Sequence, residues 1–72
     1  MLPKGLSGRE TIRALKRAGW RHVRTRGSHA ILVHEDLPQN IPVPLHDSIG
    51  RGLLRKIIND AGLTVDEFLG LL

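Results

Sequence analysis

The pair Gly27-Ser28 lies between two short segments of β-strand composition and limits the folds that this chain can adopt. The first segment reads WRHVRTR and the second reads HAILVH. Two such segments joined by a two-residue Gly-X loop predict a β-hairpin with a type II′ turn, which requires glycine at its first central position. A loop of two residues would pair Arg26 with His29, Arg24 with Ile31, and Val23 with Leu32.

This pairing, together with the two-residue period of a strand, assigns each side chain to one face of the hairpin. One face is predicted to pack against helices, and it holds Val23, Thr25, Ala30 and Leu32. The opposite face is predicted to be open, and it holds His22, Arg24, Arg26, His29, Ile31 and Val33. The open face is mostly basic and contains two histidines, which are unusual in a buried layer.

A helix is predicted before the hairpin. Ser7 and Glu10 have the spacing of a capping box, in which each satisfies a backbone N–H of the other. The helix should run to about Ala18, and Gly19 should end it. Its basic side chains gather opposite the apolar ones and are interpreted first as a solvated face, with ligand contact as the alternative; they are Arg9, Arg13, Lys16 and Arg17.

A third strand is predicted at the edge of the sheet. Residues 35–40 are polar and predict a turn, and Ile41–Pro44 then predicts an extended segment. Pro42 and Pro44 are two residues apart, so the same side of the strand lacks both N–H groups. Only an edge strand with that side facing water tolerates such a loss, which predicts the strand order 1-2-3.

Two further helices are predicted after the third strand. The segment Arg51–Ala61 carries a continuous apolar arc, and Thr64 with Glu67 forms a second capping box that opens a short C-terminal helix. The order predicts an α+β fold with a three-stranded antiparallel sheet, both main helices on one face and the other face open. Seventy-two residues fit one small domain, which we expect to cover residues 1–72.

Charge is distributed unevenly along the chain. Residues 1–34 carry eight Lys or Arg and one acid, whereas residues 35–72 carry three Lys or Arg and six acids. This asymmetry favours an anionic partner for the first half, with nucleic acid ahead of a membrane surface. The absence of cysteine excludes disulfides and thiolate chemistry. No membrane span or signal segment is predicted, so we expect a soluble protein of the cytoplasm.

Histidine is the residue type best suited to catalysis in this sequence. His29 follows the predicted turn and is flanked by arginine on the open face. His46 follows the proline strand and is either a helix-entry residue or a second site group. The histidines lack the spacing of metal ligands, so we expect neither a metal nor another cofactor. Metal-free RNA cleavage needs a base for the 2′-hydroxyl, an acid for the leaving 5′ oxygen and cations around the phosphate.

Four segments resemble the HicA-type (YcfA-like) toxins, small mRNA interferases of toxin–antitoxin pairs. They are LSGRETIRALKRAGW, RGSH, IPVPLH and GRGLLRKIINDAGLTVDEF, and they extend over residues 6–68. The resemblance implies an α-β-β-β-α fold like the double-stranded-RNA-binding domain. It also implies that His29 is the catalytic histidine and that a HicB-like antitoxin covers the active site. The chain departs from the family pattern at Leu53, where threonine is common after glycine, and so lacks a hydroxyl at that position.

The leading hypothesis is a metal-independent endoribonuclease toxin that cleaves mRNA. In this hypothesis His29 is the general acid or base, Arg24 and Arg26 contact the phosphate, and Ser28 has a lesser positioning role. Two alternatives remain open at this point. The first is an RNA-binding module of the same fold without catalysis, and the second is a protein-interaction domain whose basic face binds an acidic partner.

Overall fold

The computed structural model describes residues 2–72 and has the predicted order of elements. The elements are α1 (Gly8–Arg17), β1 (Arg21–Arg26), β2 (His29–His34), β3 (Leu37–Pro44), α2 (Arg51–Asp60) and α3 (Val65–Leu69). The strands form an antiparallel sheet in the order β1-β2-β3, as predicted. The α+β fold predicted from the sequence is therefore confirmed.

The hydrophobic core lies between one face of the sheet and the helices. The sheet contributes four buried side chains that share this face, namely Ala30, Leu32, Ile41 and Val43. Leu15 of α1 and Leu54 of α2 pack into the same cluster, as does Phe68 of α3. Each fully buried side chain of this size stabilises the fold by about 1.5–3 kcal/mol. A chain this short has a total stability of only about 4–11 kcal/mol, so few core positions tolerate truncation.

Both predicted capping boxes are present. The Ser7 hydroxyl accepts the Glu10 N–H at 3.0 Å, and the Glu10 carboxylate accepts the Ser7 N–H at 3.1 Å. Thr64 and Glu67 repeat this arrangement at the start of α3. In contrast, α2 begins after Gly50 without a side-chain cap. The neighbouring Leu53 side chain is 44% exposed, so the departure from the family pattern affects the surface at the start of α2.

The predicted turn at residues 35–40 is wrong in extent, because only Glu35 and Asp36 form it. Strand β3 already begins at Leu37 and then passes through a register irregularity opposite Val33. The first half of β3 lacks the apolar alternation of a strand because its side chains at an exposed sheet edge need no burial. The edge position itself is confirmed. Leu45, one residue past Pro44, donates its N–H to the Ser28 carbonyl at 2.7 Å.

The predicted pairing of Val23 with Leu32 is also wrong. His22 is the partner of Leu32, because a β-bulge between His22 and Arg24 leaves Val23 without a partner. Val23 is 43% exposed rather than packed against the helices. A bulge moves every side chain before it to the other face of the strand. His22 therefore lies on the helix side, where its Nε2 is 2.9 Å from the Thr25 hydroxyl.

Candidate active site and basic groove

A tight turn sets the position of His29. Gly27 has a φ of 58°, which is in the left-handed region, and no residue other than glycine has a positive φ within residues 2–72. A left-handed residue at the first loop position alone is the pattern of a type II′ turn, as predicted. His29 follows as the first residue of β2 and its side chain is exposed. The turn thus presents the imidazole at the end of the sheet.

Strand pairing brings the predicted phosphate contacts to the same face as His29. Arg26 is the direct partner of His29, and Arg24 is the partner of Ile31 two residues further along β2. Because residues two apart on a strand share a face, Arg24, Arg26 and His29 lie together on the open side of the sheet. Ile31 lies there as well, yet it is only 8% exposed, since Arg24 and Pro42 flank it from the neighbouring strands.

His46 lies beside His29. The centroids of the two imidazole rings are 6.5 Å apart, and the ring planes are inclined by 59°. The sequence alone left open whether His46 is a helix-entry residue or a site residue. Helix α2 begins only at Arg51, after Gly50 as N-cap, so His46 has no capping role. The pairing of His29 with Pro44 explains the proximity, because it brings the segment after β3 to the start of β2.

Backbone hydrogen bonds hold the segment that carries His46. The His46 carbonyl accepts the N–H of Gly8, the first residue of α1, at 2.9 Å. On one side of it, the Leu45 N–H bonds to the Ser28 carbonyl at 2.7 Å, and on the other side the Ile49 N–H bonds to Leu6 at 2.7 Å. Ser28 therefore helps to hold this segment through its backbone carbonyl, which accepts the Leu45 N–H. Its exposed hydroxyl stays a predicted positioning group.

A comparison with protein families gives one match that spans most of these elements. Residues 8–63 match the family described as the HicA toxin of bacterial toxin–antitoxin systems. This range begins with α1, includes the whole sheet and ends after α2. The chain belongs to the HicA toxin family. It is thus a toxin of a toxin–antitoxin system, and family membership implies an antitoxin partner. A search of curated proteins finds no match.

The arginines at the site of this HicA toxin have free charges. Among residues 2–72 the one salt bridge joins Lys56 to Asp60 on α2. Neither Arg24 nor Arg26 makes a side-chain hydrogen bond in that part of the chain. An exposed guanidinium without an internal partner is available for an anion, and phosphate suits its fork of donors.

The described part of the HicA toxin has neither a cluster of metal-ligating groups nor a membrane-spanning helix. Within residues 2–72, no three side chains of His, Cys, Asp or Glu converge as metal ligands would. A protein zinc site uses three or four such ligands. No helix in the described part of the chain is long and apolar enough to cross a membrane.

His34 has a structural role in the HicA toxin. Its Nδ1 accepts the Asp36 N–H at 3.0 Å, and its Nε2 lies 3.1 Å from the Ala18 carbonyl at the end of α1. Because Nδ1 accepts, Nε2 carries the proton and donates to that carbonyl. The ring also packs edge-on against Trp20, with centroids 5.3 Å apart. Nothing in the sequence around His34 predicts these contacts.

A groove of about 440 Å³ lies on the helix side of the sheet, between α1 and β1. Its lining combines basic and apolar side chains, namely Arg9, Ile12, Arg13, Lys16, His22 and Leu45. The basic face of α1 was predicted, but the groove was not. It depends on the bulge that turns His22 toward the helices, and the sequence carries no signal for that bulge.

Proposed function

We propose that this HicA toxin is a metal-independent endoribonuclease that cleaves mRNA in the cytoplasm, with His29 as its catalytic histidine. His46 is the second proton-transfer group, and residues 1–72 act as one domain. The observation that supports catalysis over simple binding is the pair of imidazole rings, 6.5 Å apart on an exposed basic surface. Phosphate binding needs only cations, whereas cleavage without a metal needs two groups that exchange protons.

The reaction is a transesterification within the RNA strand. One histidine, as the neutral imidazole, removes the proton from a 2′-hydroxyl, and the 2′ oxygen then attacks the adjacent phosphorus. The bond from phosphorus to the 5′ oxygen breaks, and the other histidine, as the imidazolium, gives its proton to that oxygen. The products are a 2′,3′-cyclic phosphate and a free 5′-hydroxyl. Histidine suits both roles because as a residue type it titrates near neutral pH.

The spacing of the two rings suits one phosphate between them. A general base or acid must be within about 2.6–3.2 Å of the oxygen that it serves. Two such hydrogen bonds reach two oxygens on the same phosphorus from rings whose centroids are 6.5 Å apart when the phosphate lies to one side of the line that joins the rings. Arg24 and Arg26 lie on the same face and can contact the remaining phosphate oxygens. Their positive charge stabilises the additional negative charge that develops on the phosphorane.

The antitoxin partner is, in this proposal, a HicB-like protein that covers the two histidines. Both His29 and His46 are exposed, and His29 lies on the open face of the sheet with His46 beside it. A protein seated on that face would block access of RNA without any change in the toxin fold. The non-catalytic RNA-binding module is the second candidate, and the unpaired charges of Arg24 and Arg26 favour it as much as they favour the enzyme.

Cleavage of a long single-stranded RNA tests the proposal. The assay compares the wild type, His29→Ala, His46→Ala and the surface control Arg55→Ala on α2, each with and without EDTA. We expect cleavage to persist in EDTA and in the control, and to fall by about 10²–10⁴ in each histidine variant. End-group analysis should find the cyclic phosphate. Wild-type rates in His29→Ala would show the catalytic assignment to be wrong, and intact RNA with a folded wild type would favour the binding module.

A modified substrate separates the acid from the base. Sulfur in place of the leaving 5′ oxygen departs without a proton, so it removes the need for a general acid. The variant that lacks the acid should therefore recover cleavage of this substrate, whereas the variant that lacks the base should not. If His46→Ala cleaved each of the two substrates as fast as the wild type does, His46 would be excluded from proton transfer. The role of His29 would be unaffected by that result.

A further inference from the structure

We propose that the groove between α1 and β1 binds the single-stranded RNA that flanks the cleaved phosphate. The cations of α1 would hold the phosphates of this flank, and the apolar side chains would contact its sugars or bases. This inference rests on the proposed function, because it places a substrate strand at His29 and His46. It adds a second region of contact, on the opposite side of the sheet from Arg24 and Arg26.

The cations of the groove are arranged along one line. Arg9, Arg13 and Lys16 are spaced four and three residues apart, so they follow one stripe of α1. From Arg9 to Lys16 the helix rises about 10 Å. Within residues 2–72 no acidic side chain lines the groove, and the one acid beside the row is Glu10, whose charge interacts with that of Arg13. Three cations against one neighbouring acid leave a net positive row, which suits a polyanion whose charges repeat along its length.

The cations of this row make no direct polar contact with other side chains of residues 2–72. Within residues 2–72, the side chains of Arg9, Arg13 and Lys16 take part in no salt bridge and no hydrogen bond. The next residue, Arg17, differs because it donates to the Leu71 carbonyl at 2.6 Å and thereby fixes the C-terminal segment. The basic face of α1 thus contains one structural arginine and three cations that are free to bind a ligand.

The groove begins next to the two histidines. Leu45 lines the groove and directly precedes His46, and its N–H bonds to the carbonyl of Ser28, which precedes His29. A strand whose phosphate lies between the rings can therefore pass over Leu45 into the groove. Leu45, which is 39% exposed, offers an apolar surface for a sugar or a base, whereas Ile12 lines the groove but is only 8% exposed.

The shape of the groove favours a single strand. Its volume of about 440 Å³ is in the range of pockets that hold one small ligand, about 300–1,000 Å³. An RNA duplex is too wide to enter a space of this size. An acidic segment of the antitoxin would also be attracted by the cations. RNA is favoured because the groove continues from the proposed site of cleavage.

The salt dependence of RNA binding tests this inference without cleavage. The ligand is a 2′-O-methyl oligouridine, which has no 2′-hydroxyl to react. For single strands the slope of log K against log salt is about −0.7 for each phosphate neutralised. We therefore expect Arg9→Gln with Arg13→Gln to reduce the slope by about 1.4 and to weaken binding about 25-fold at 0.1 M salt. Lys16→Gln alone should reduce the slope by about 0.7.

The matched control is Arg51→Gln with Arg55→Gln, which removes the same charge from the exposed face of α2. Equal weakening in the control would overturn the inference, since it would show an effect of net charge only. Unchanged RNA binding in the groove variant, with weaker binding of the antitoxin, would overturn it in favour of a protein ligand. At saturating RNA the groove variant should keep its kcat and raise its KM. Failure of the wild type to cleave RNA would refute the proposed function but would not alter the binding result.

Discussion

Gly8 joins the first turn of α1 to the segment that carries His46, and replacing it with alanine is a direct test of that junction. A Cβ built at position 8 would overlap the Pro44 carbonyl oxygen and lie 3.2 Å from the Leu45 Cα. Both neighbours are backbone, so no side chain can rotate away. Carbon–oxygen contacts are normally about 3.3–3.6 Å, so helix and strand must separate by about 1.3–1.6 Å.

The expected cost follows from three contributions. Overpacking in a tight site costs about 1–3 kcal/mol. Separation also weakens the hydrogen bond from the Gly8 N–H to the His46 carbonyl, which contributes about 0.5–1.5 kcal/mol. Alanine stabilises a helix by up to about 1 kcal/mol relative to glycine, which offsets part of this cost. We therefore expect Gly8→Ala to lower the free energy of unfolding by about 0.5–4.5 kcal/mol and to slow RNA cleavage, because His46 moves relative to His29.

Gly52→Ala is the matched control, since Gly52 lies in the first turn of α2 and a Cβ there meets nothing within 4 Å. This variant should be more stable than the wild type by about 0.5–1 kcal/mol. Thermal unfolding measures both variants, and in a domain of this size 1 kcal/mol shifts Tm by about 4–8 °C. The reasoning is refuted if Gly8→Ala unfolds at or above the wild-type Tm.

Three further predictions concern the turn, the first capping box and His34. Gly27→Ala forces a left-handed φ on alanine and should cost about 1–2 kcal/mol in urea unfolding, with slower RNA cleavage because His29 is displaced. The pKa of Glu10 is lowered from its ordinary value of 4.5, first because its carboxylate accepts the Ser7 N–H. The stability advantage of the wild type over Glu10→Gln should therefore be present above pH 4.5 and be lost as pH falls through the lowered pKa, which urea unfolding at several pH values measures. His34→Ala removes two hydrogen bonds and should lower Tm at a cost of about 1–3 kcal/mol, while the cleavage rate at low temperature stays unchanged.

The sequence predicts most of the fold because its signals are local. Each capping box lies within four residues, and the hairpin depends on two residues and their immediate neighbours. The predicted order of the sheet also holds, because Pro42 and Pro44 exclude a central position. The predictions that are wrong concern features that depend on how neighbouring strands pair. The bulge at Val23 and the early start of β3 at Leu37 depend on the fit between neighbouring strands. No local sequence pattern predicts this fit.

At the candidate site, too, features set by local sequence were predicted, whereas features set by contacts between distant segments were not. His29 was singled out by its place after Gly27 and Ser28, and the arginines on its face followed from the period of the strand. The role of His46 stayed open in the sequence, because it lies 17 positions after His29 and no spacing rule joins a strand start to a loop. The antiparallel pairing of β2 with β3 brings the two rings within 6.5 Å.

The elements, their order, the basic first half and the histidine at the turn can be predicted from the sequence, since they depend on interactions between near neighbours along the chain. The partner of that histidine and the groove become visible only in the folded chain. Both arise where distant segments meet, at the start of β2 and between α1 and β1. A single bulge places His22 in that groove rather than beside Arg24, because one extra residue in a strand reverses the face of every side chain before it.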